Sequence, residues 1–559
     1  MRVTIKKYIM KHWQIIHQET GDRGQKTVAE IVKILLKNRN LVSQKDINKF
    51  LNPDINRTTL ASVGIDEKEF LKFKKRIEKA IENNEKIVIF GDYDVDGITS
   101  CAILWETLYA RTKKVIPYIP DRADEGYGLS IKGIENVLVS NPDTKLIITV
   151  DNGIVAFDAI EFANKKGIDV IVTDHHVKGK KLPNAFCILH TTSLCGGGIA
   201  WVLAKELAFE SKKKISEKLE LATLATVADL VPLTNDNRAI VREGLKVLEN
   251  TNRIGLKELL KEAGVQKQAL SVYTIGHVIA PRLNATGRIQ SAMNALRLLC
   301  TNDLSKAESL AKMLGGVNRD RQVLTEESVN HAKLLAIENS SSHITIVSDS
   351  SYNQGVIGLV ASQLVEIYYK PAIAIAIGDR VSKGSARSIS GVNIIELLRS
   401  VSEQLIEAGG HPMAAGFSVA TEHIEEFVKA LEKKASEVVT EEHLKRYLKI
   451  DVLISFPIIS MEFLEAIGKL EPYGMGNPEP VFATKNVLIV ESRKIGREQN
   501  HLKMKVESEG KTFGALAFGM ANKVDLSTGD VVDIAYTIDK NEWNGKVELQ
   551  IKIKDIKER

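Results

Sequence analysis

Asp92, Asp94 and Asp96 stand two apart, directly after the apolar run Ile87-Val-Ile-Phe90 and just before Gly97. The arrangement returns twice: Leu146-Ile-Ile-Thr-Val150 ends in Asp151-Asn-Gly153, and Val170-Ile-Val-Thr173 ends in Asp174-His175-His176. Hard divalent cations such as Mg²⁺ and Mn²⁺ take carboxylates and water, and imidazole also suits Mn²⁺. A pair of such ions activates water near neutral pH and clamps the oxygens of an in-line displacement at phosphorus. Asp94 and Asp96, on a loop after a strand, are expected to face one site together. Asp151 is placed to bridge two ions, and His175 or His176 with the distant Asp229 would close the set. Turn chemistry explains any one of these clusters, since Asp-Asn-Gly is a common turn. It does not explain all of them at successive strand ends.

The elements that must position these groups follow from periodicity. A short apolar run bounded by glycine reads as a buried strand. Asp66 to Asn83 reads as an amphipathic helix, Ser100 to Thr112 as a helix, and Val115 to Ile119 as a strand. Helices are expected over Ser130–Ser140 and Ala156–Lys166, with a strand over Phe186–Leu189. Strands alternating with helices imply a parallel, doubly wound sheet, which puts the acids at its carboxyl edge. Gly196-Gly-Gly198 opens a helix to Phe209, and a second helix, Lys218 to Ala228, delivers Asp229. The expected organisation is an extension over 1–50, an α/β domain over 51–235 and a helical region over 236–337. The last ends in one long linking helix, Ala311 to Ile337. A second α/β domain follows over 338–445. A barrel over 446–559, built from alternating strands after Phe482, is expected to be an OB-fold.

The totals agree with several domains: 559 residues are too many for one core. Apolar content of 44% and charged content of 26% are those of a folded globular chain. A net charge of +5 is small, so nucleic-acid partners must be argued from local patches. No apolar run reaches the length of a membrane span, and the first residues lack a signal-peptide core, so a cytoplasmic location is expected. Cys101, Cys187, Cys195 and Cys300 are scattered, offering neither a zinc site nor a disulfide framework. Neither an ATP-binding Gly-x-x-x-x-Gly-Lys loop nor a Gly-x-Ser-x-Gly elbow is present.

Asp92-Tyr-Asp-Val-Asp-Gly97, Asp151-Asn-Gly153, Asp174-His-His176 and Ala228-Asp-Leu-Val-Pro232 together resemble the four motifs of the DHH phosphoesterase superfamily. Within it, the chain resembles the RecJ family of single-strand-specific DNA exonucleases. The likeness extends to Arg282-Leu-Asn-Ala-Thr-Gly-Arg288, Gly409-Gly-His-Pro-Met-Ala-Ala-Gly-Phe417 and Pro472-Tyr-Gly-Met-Gly-Asn-Pro-Glu-Pro-Val-Phe482. The resemblance implies a DHH domain and a DHHA1 domain joined by a helix, then an OB-fold that binds single strands. It also implies two Mn²⁺ or Mg²⁺ ions and 5′→3′ release of mononucleotides in recombination and repair. Asp94, Asp96, Asp151, His175 and Asp229 become the implied ligands. Asp92 and Asp174 are ligands or orienting groups, and His176 faces the scissile phosphate. The sequence departs from the pyrophosphatase branch, with Phe90 and Asp92 where that branch has a histidine.

Arg122, Arg282, Asn284 and Arg288, with Ser385, Arg387, Gly409, Gly410 and His411, are the candidates for phosphate contact, because guanidinium forks and exposed backbone amides suit phosphate oxygens. Arg493, Lys494, Arg497, Lys503 and Lys505 form a basic set in the barrel, where Phe513, Phe518 and Trp543 are candidate stacking platforms. The expected partners are single-stranded DNA, a helicase and a single-strand-binding protein, acting on a monomer. Two rival readings remain: a relative that cleaves short oligonucleotides, and an inert DNA-binding relative.

Overall fold

The computed structural model describes residues 11–17, 26–121, 124–266, 270–289, 291–338, 341–543 and 546–558. The chain forms two compact units. One is Asn48–Val323 with the short segment Pro472–Pro478; the other is Met1–Ile47, Leu324–Glu471 and Glu479–Arg559.

The first unit is built on Lys86–Phe90 (β1), Val115–Tyr118 (β2), Thr144–Val150 (β3), Asp169–Asp174 (β4) and Cys187–His190 (β5). They form one five-stranded sheet in the order β2-β1-β3-β4-β5, parallel throughout. Apolar residues run continuously along β1 because both faces are covered: Ile87 and Ile89 enter one core cluster, Val88 and Phe90 another. Helix Val95–Tyr109 packs on the first face, and helices Ile131–Ser140 and Phe157–Lys165 on the second. The chain leaves β1 to one side for β2, then lands β3 on the other side. That reversal opens a crevice at the carboxyl ends of β1 and β3.

The helix after β1 starts at Val95, five residues earlier than the sequence suggested. Asp94 is its N-cap, its side chain accepting from the Gly97 N–H at 3.1 Å. Asp96 therefore projects from a first helical turn, not from a loop. Arg282–Arg288, whose Asn, Thr and Gly suit a loop in sequence, is helical within Ala280–Ile289. Burial of Leu283, Ala285 and Thr286 outweighs the weak helix propensity of its Asn, Thr and Gly. The long helix is longer than read, Leu304–Glu338.

The second unit contains Thr345–Asp349 (β6), Ala372–Ala376 (β7), Val381–Arg387 (β8), Glu407–His411 (β9) and Ala414–Ala420 (β10). Their order is β9-β10-β8-β7-β6, with only β6 and β7 parallel. The C-terminal strands are Val452–Leu453 (β11), Phe482–Ile495 (β12), His501–Ser508 (β13), Lys511–Ala517 (β14), Val531–Trp543 (β15) and Lys546–Glu558 (β16). Because β12 pairs with both β13 and β15, the five long strands close into a barrel, as expected of an OB-fold. His12–Ile15 runs parallel to Tyr447–Ile450 as a separate ribbon. Among the described residues, no helix is long and apolar enough to cross a membrane.

Candidate metal centre

The carboxyl ends of β1, β3 and β4 bring the acidic clusters together. In three overlapping sets the ligand atoms lie within 4.8 Å of one another: Asp92, Asp94 and Asp151; Asp96, His175 and Asp229; Asp151, His175 and His176. His175 Nε2 is the hub, 3.0 Å from Asp151 Oδ1, 3.6 Å from Asp96 Oδ2 and 3.8 Å from Asp229 Oδ2. Asp151 has a φ of +63°, in the left-handed region that Asp tolerates better than most residues. The Asp-Asn-Gly turn is thus real, and it also aims a carboxylate into the crevice.

Helix starts hold two of the acids. Asp94 caps the helix after β1, and Asp96 accepts from the Gly196 N–H at 2.7 Å and the Gly197 N–H at 2.6 Å, the orphan donors of helix Gly196–Leu207. Those glycines are required by packing, since a Cβ on Gly196 would stand 2.6 Å from Asp151 Cβ and one on Gly197 2.4 Å from Ala225 Cβ. The Gly196-Gly-Gly198 run was visible in the sequence as a helix start; its service to Asp96 was not. Asp229 caps the C-terminus of helix Leu219–Ala228.

Asp174 behaves differently. Its Oδ1 accepts from the His175 N–H (2.7 Å), the His176 N–H (3.1 Å) and His176 Nδ1 (2.8 Å), and its Oδ2 from the Ile154 N–H (2.9 Å). Both oxygens are committed to donors. Burial opposes its ionisation, but the hydrogen bond and charge of His176 outweigh that and keep its carboxyl below the usual range. Burial likewise disfavours charge on His176, yet the hydrogen bond to Asp174 and that residue's charge raise its basicity. The far nitrogen of His176 lies 3.0 Å from the Tyr127 hydroxyl, and His190 Nε2 lies 2.7 Å from the His176 carbonyl. Neither Tyr127 nor His190 was singled out from sequence; the Gly126-Tyr-Gly128 run was the one available signal for Tyr127.

The electrostatics describe a site that lacks positive charge. Burial first, and then the Asp94 charge, push the Asp92 carboxyl up to about 8. Burial and then Asp96 and Asp94 push Asp229 up to about 8. Burial also raises Asp94, and Asp151 well above its ordinary value, with the neighbouring carboxylates adding to it. His175 is held below the ordinary imidazole value by burial, which keeps it a neutral donor of its lone pair. Asp92 Oδ1 and Asp151 Oδ1 are buried oxygens without a hydrogen-bond donor; the 3.0 Å approach of His175 to Asp151 lacks hydrogen-bond geometry. Orphaned carboxylate oxygens around one imidazole fit hard divalent cations, and among the described residues no cysteine enters the ligand sets.

The phosphate candidates are more scattered. Arg122 lies outside the described residues, as does the side chain of Arg288. Arg282 Nε pairs with Glu262 Oε2 at 2.9 Å. Asn284 is a buttress: its Oδ1 accepts from the Val95 N–H at 2.9 Å, fixing the start of the helix that carries Asp96. In the second unit Arg387 donates to Ser385 Oγ at 3.0 Å and to the Ala386 carbonyl at 2.8 Å. Gly409, Gly410 and His411 are exposed on β9, paired with β10. Phe513 is buried against Phe456, so it serves the barrel core, whereas Phe518 is 56% exposed and meets His501 edge-on. The Trp543 side chain lies outside the described set.

Comparison with known proteins finds relatives along most of the chain. The DHH family N-terminal domain matches residues 86–228, the DHHA1 domain 340–437 and the RecJ OB domain 450–555. A single-stranded-DNA-specific exonuclease RecJ of Haemophilus influenzae is 32% identical over 552 residues, 92% of this chain and 94% of that protein. This chain belongs to the RecJ family. The RecJ of Bacillus subtilis is 37% identical over 496 residues; the alignment takes in 86% of this chain and 62% of that longer relative. A crystal structure of RecJ in complex with Mn²⁺ from Thermus thermophilus superposes with a TM-score of 0.81 at 28% identity, covering 98% of this chain and 79% of that one.

Proposed function

We propose that this protein is a metal-dependent exonuclease that degrades single-stranded DNA from the 5′ end to mononucleotides. The observation that carries the reading is the convergence of Asp92, Asp94, Asp96, Asp151, His175 and Asp229 at one sheet edge, with buried carboxylate oxygens left without donors. Two Mn²⁺ or Mg²⁺ ions held there would supply an activated water and neutralise charge on the phosphoryl oxygens. Asp94, Asp96, Asp151, His175 and Asp229 are assigned as ligands, and Asp92, buried and with its Oδ1 lacking a donor, as a further ligand. Asp174, which belongs to none of the three ligand sets and whose Oδ1 takes three donors, orients His176, whose Nε2 would donate to a phosphoryl oxygen.

Substrate class comes from the rest of the chain. Lys503 and Lys505 point outward from β13 while Leu502, Met504 and Val506 fill the barrel. Arg493 stands directly opposite Lys503. Glu491 stands opposite Lys505, so the pair without an anion is Arg493–Lys503; like charges across a strand pair destabilise a sheet, which favours an anionic partner there. This face favours long single strands over the short-oligonucleotide reading, and the full acid set disfavours an inert relative. Ser385 and Arg387 are assigned to the 5′-terminal phosphate; a helicase and a single-strand-binding protein would present the strand. The test is Mn²⁺-dependent digestion of a strand labelled at either end. Mononucleotides released first from the 5′-labelled end support the assignment, and 3′-first release or metal-independent cleavage defeats it.

A further inference from the structure

The stretch Pro472-Tyr-Gly-Met-Gly-Asn-Pro478 is rich in turn residues, yet nothing in the hydrolytic reading uses it. In sequence it lies between two parts of the second unit, four residues before β12, but its contacts place it in the unit that carries the metal centre. It is a tight hairpin: the Gly474 N–H donates to the Asn477 carbonyl at 2.9 Å and the Asn477 N–H returns to the Gly474 carbonyl at 3.1 Å. Asn477 is fully buried and donates through Nδ2 to the Pro472 carbonyl at 2.9 Å. The same Pro472 carbonyl receives buried Arg238 at 3.4 Å, whose guanidinium stacks on the Phe50 ring at 3.9 Å.

The hairpin tip is directed at the chain leaving Asp229. Met475 gives its carbonyl to the Leu233 N–H at 2.7 Å. A Cβ on Gly476 would stand 2.9 Å from Pro232 Cβ, and one on Gly474 2.6 Å from Leu233 Cδ1. The intervening residue Leu230 is 65% exposed and has a φ of +57°, a conformation a Leu side chain rarely takes unless its surroundings impose it. Buried Asn237 links the Pro232 carbonyl (3.1 Å) to the Ser193 carbonyl (2.9 Å), three residues before the Gly196 amide that holds Asp96. The strained turn after Asp229 is therefore pinned from outside by the hairpin and tied to the loop serving Asp96.

We propose that Pro472–Pro478 is a positioning element of the metal centre, setting the Asp229 carboxylate through the Asp229–Leu233 turn. The inference rests on Asp229 being a ligand, as assigned above. Groups that orient metal ligands without touching the metal typically contribute 10–100-fold to affinity. Gly476, at φ +72°, and Gly510, at φ +74° with open space around its Cβ, make a matched pair. Alanine at either incurs the same backbone strain, but only at 476 does it press on Pro232. Binding of Mn²⁺ alone to the metal-free full-length protein, followed by the electron spin resonance of the free ion, gives a readout independent of hydrolysis.

Gly476→Ala is expected to weaken Mn²⁺ binding roughly tenfold, with kcat recovering at saturating Mn²⁺, while Gly510→Ala binds like the parent. Asn477→Ala, which adds no atom, is the second arm should Gly476→Ala fail to fold, and the same weakening is expected. Equal Mn²⁺ affinity in Gly476→Ala and Gly510→Ala, or in Asn477→Ala and the parent, overturns the proposal. Asp229→Asn separates the two ideas. If it leaves Mn²⁺ binding unchanged, the ligand assignment falls; if it weakens binding and the hairpin variants do not, the positioning role alone falls.

Discussion

The carboxyl edge of the parallel sheet and strand β8 of the mixed sheet present charge in opposite ways. At the parallel edge, acids from separate strands converge where burial denies them water, and Asp92 and Asp151 keep oxygens with no donor at all. On β8, Arg387 stays on its own strand, donating from one nitrogen, Nη1, to Ser385 Oγ and to the Ala386 carbonyl, and among the described residues no carboxylate pairs with it. Convergent acids are complete only with cations between them, so metal binding and catalysis share one requirement. A cation that is already hydrogen-bonded can exchange those partners for an anion without a fold-wide consequence. In the proposed reading the first arrangement sets whether chemistry occurs, and the second biases which end of a strand is used.

Removing a convergent acid should break the first arrangement outright. Asp151→Ala or His175→Ala is expected to lower hydrolysis by on the order of 10³-fold or more while single-strand binding stays within several-fold, as read by filter binding in metal chelator. Near-parental turnover at saturating Mn²⁺ would remove Asp151 from the centre. Arg387→Ala should have a smaller, selective effect. A charge-assisted bond contributes roughly 1.5–3 kcal/mol, so cleavage of a 5′-phosphorylated strand should fall about 10–100-fold and that of a 5′-hydroxyl strand much less. An undiminished 5′-phosphate preference would make Arg387 a purely structural arginine.

The basic face of the barrel sharpens the contrast further, because its charges act additively. Changing Arg493, Lys503 and Lys505 to Ala should flatten the dependence of log Kd on log salt by about 0.7 for each phosphate no longer neutralised, with short-oligonucleotide cleavage retained. Deleting everything from residue 452 is a poorer test, since it also removes Pro472–Pro478 from the metal-bearing unit. Such a truncation should lose short-oligonucleotide cleavage as well. The smallest effect is on stability. Asp151→Asn removes one charge from a crowded buried set, so in chelator at pH 8 its Tm should rise by a few degrees, an increase that added Mn²⁺ reverses by favouring the parent. Arg387→Ala, which relieves no repulsion, should show no such rise.

Much of this was legible because it is local. Apolar runs ending in acids along β1, β3 and β4, and glycines at the helix start of Gly196, are short-range patterns, and they pointed to a parallel sheet with carboxylates at one edge. The closed barrel was legible for the same reason, from period-2 alternation along β13 and its neighbours. Errors came where tertiary packing overrides propensity. Asp94 looked like a loop acid and is a helix cap; Asn284, a candidate for phosphate contact, also holds the Val95 N–H from 189 residues away, which no local pattern signals. Phe513 was a candidate base platform, and its ring is in the barrel core.

The sequence by itself determined which side chains are available for chemistry and on which strand ends they fall, since backbone periodicity and turn preference depend on near neighbours. Only the tertiary structure decided which of them meet and how. That Asp96 is clasped by two glycine amides, that Asp174 Oδ2 takes the Ile154 N–H, and that a hairpin near residue 475 steadies the turn after Asp229 are all long-range facts. They arise from dense packing, where a missing Cβ, or one backbone carbonyl delivered from a distant part of the chain, decides what fits.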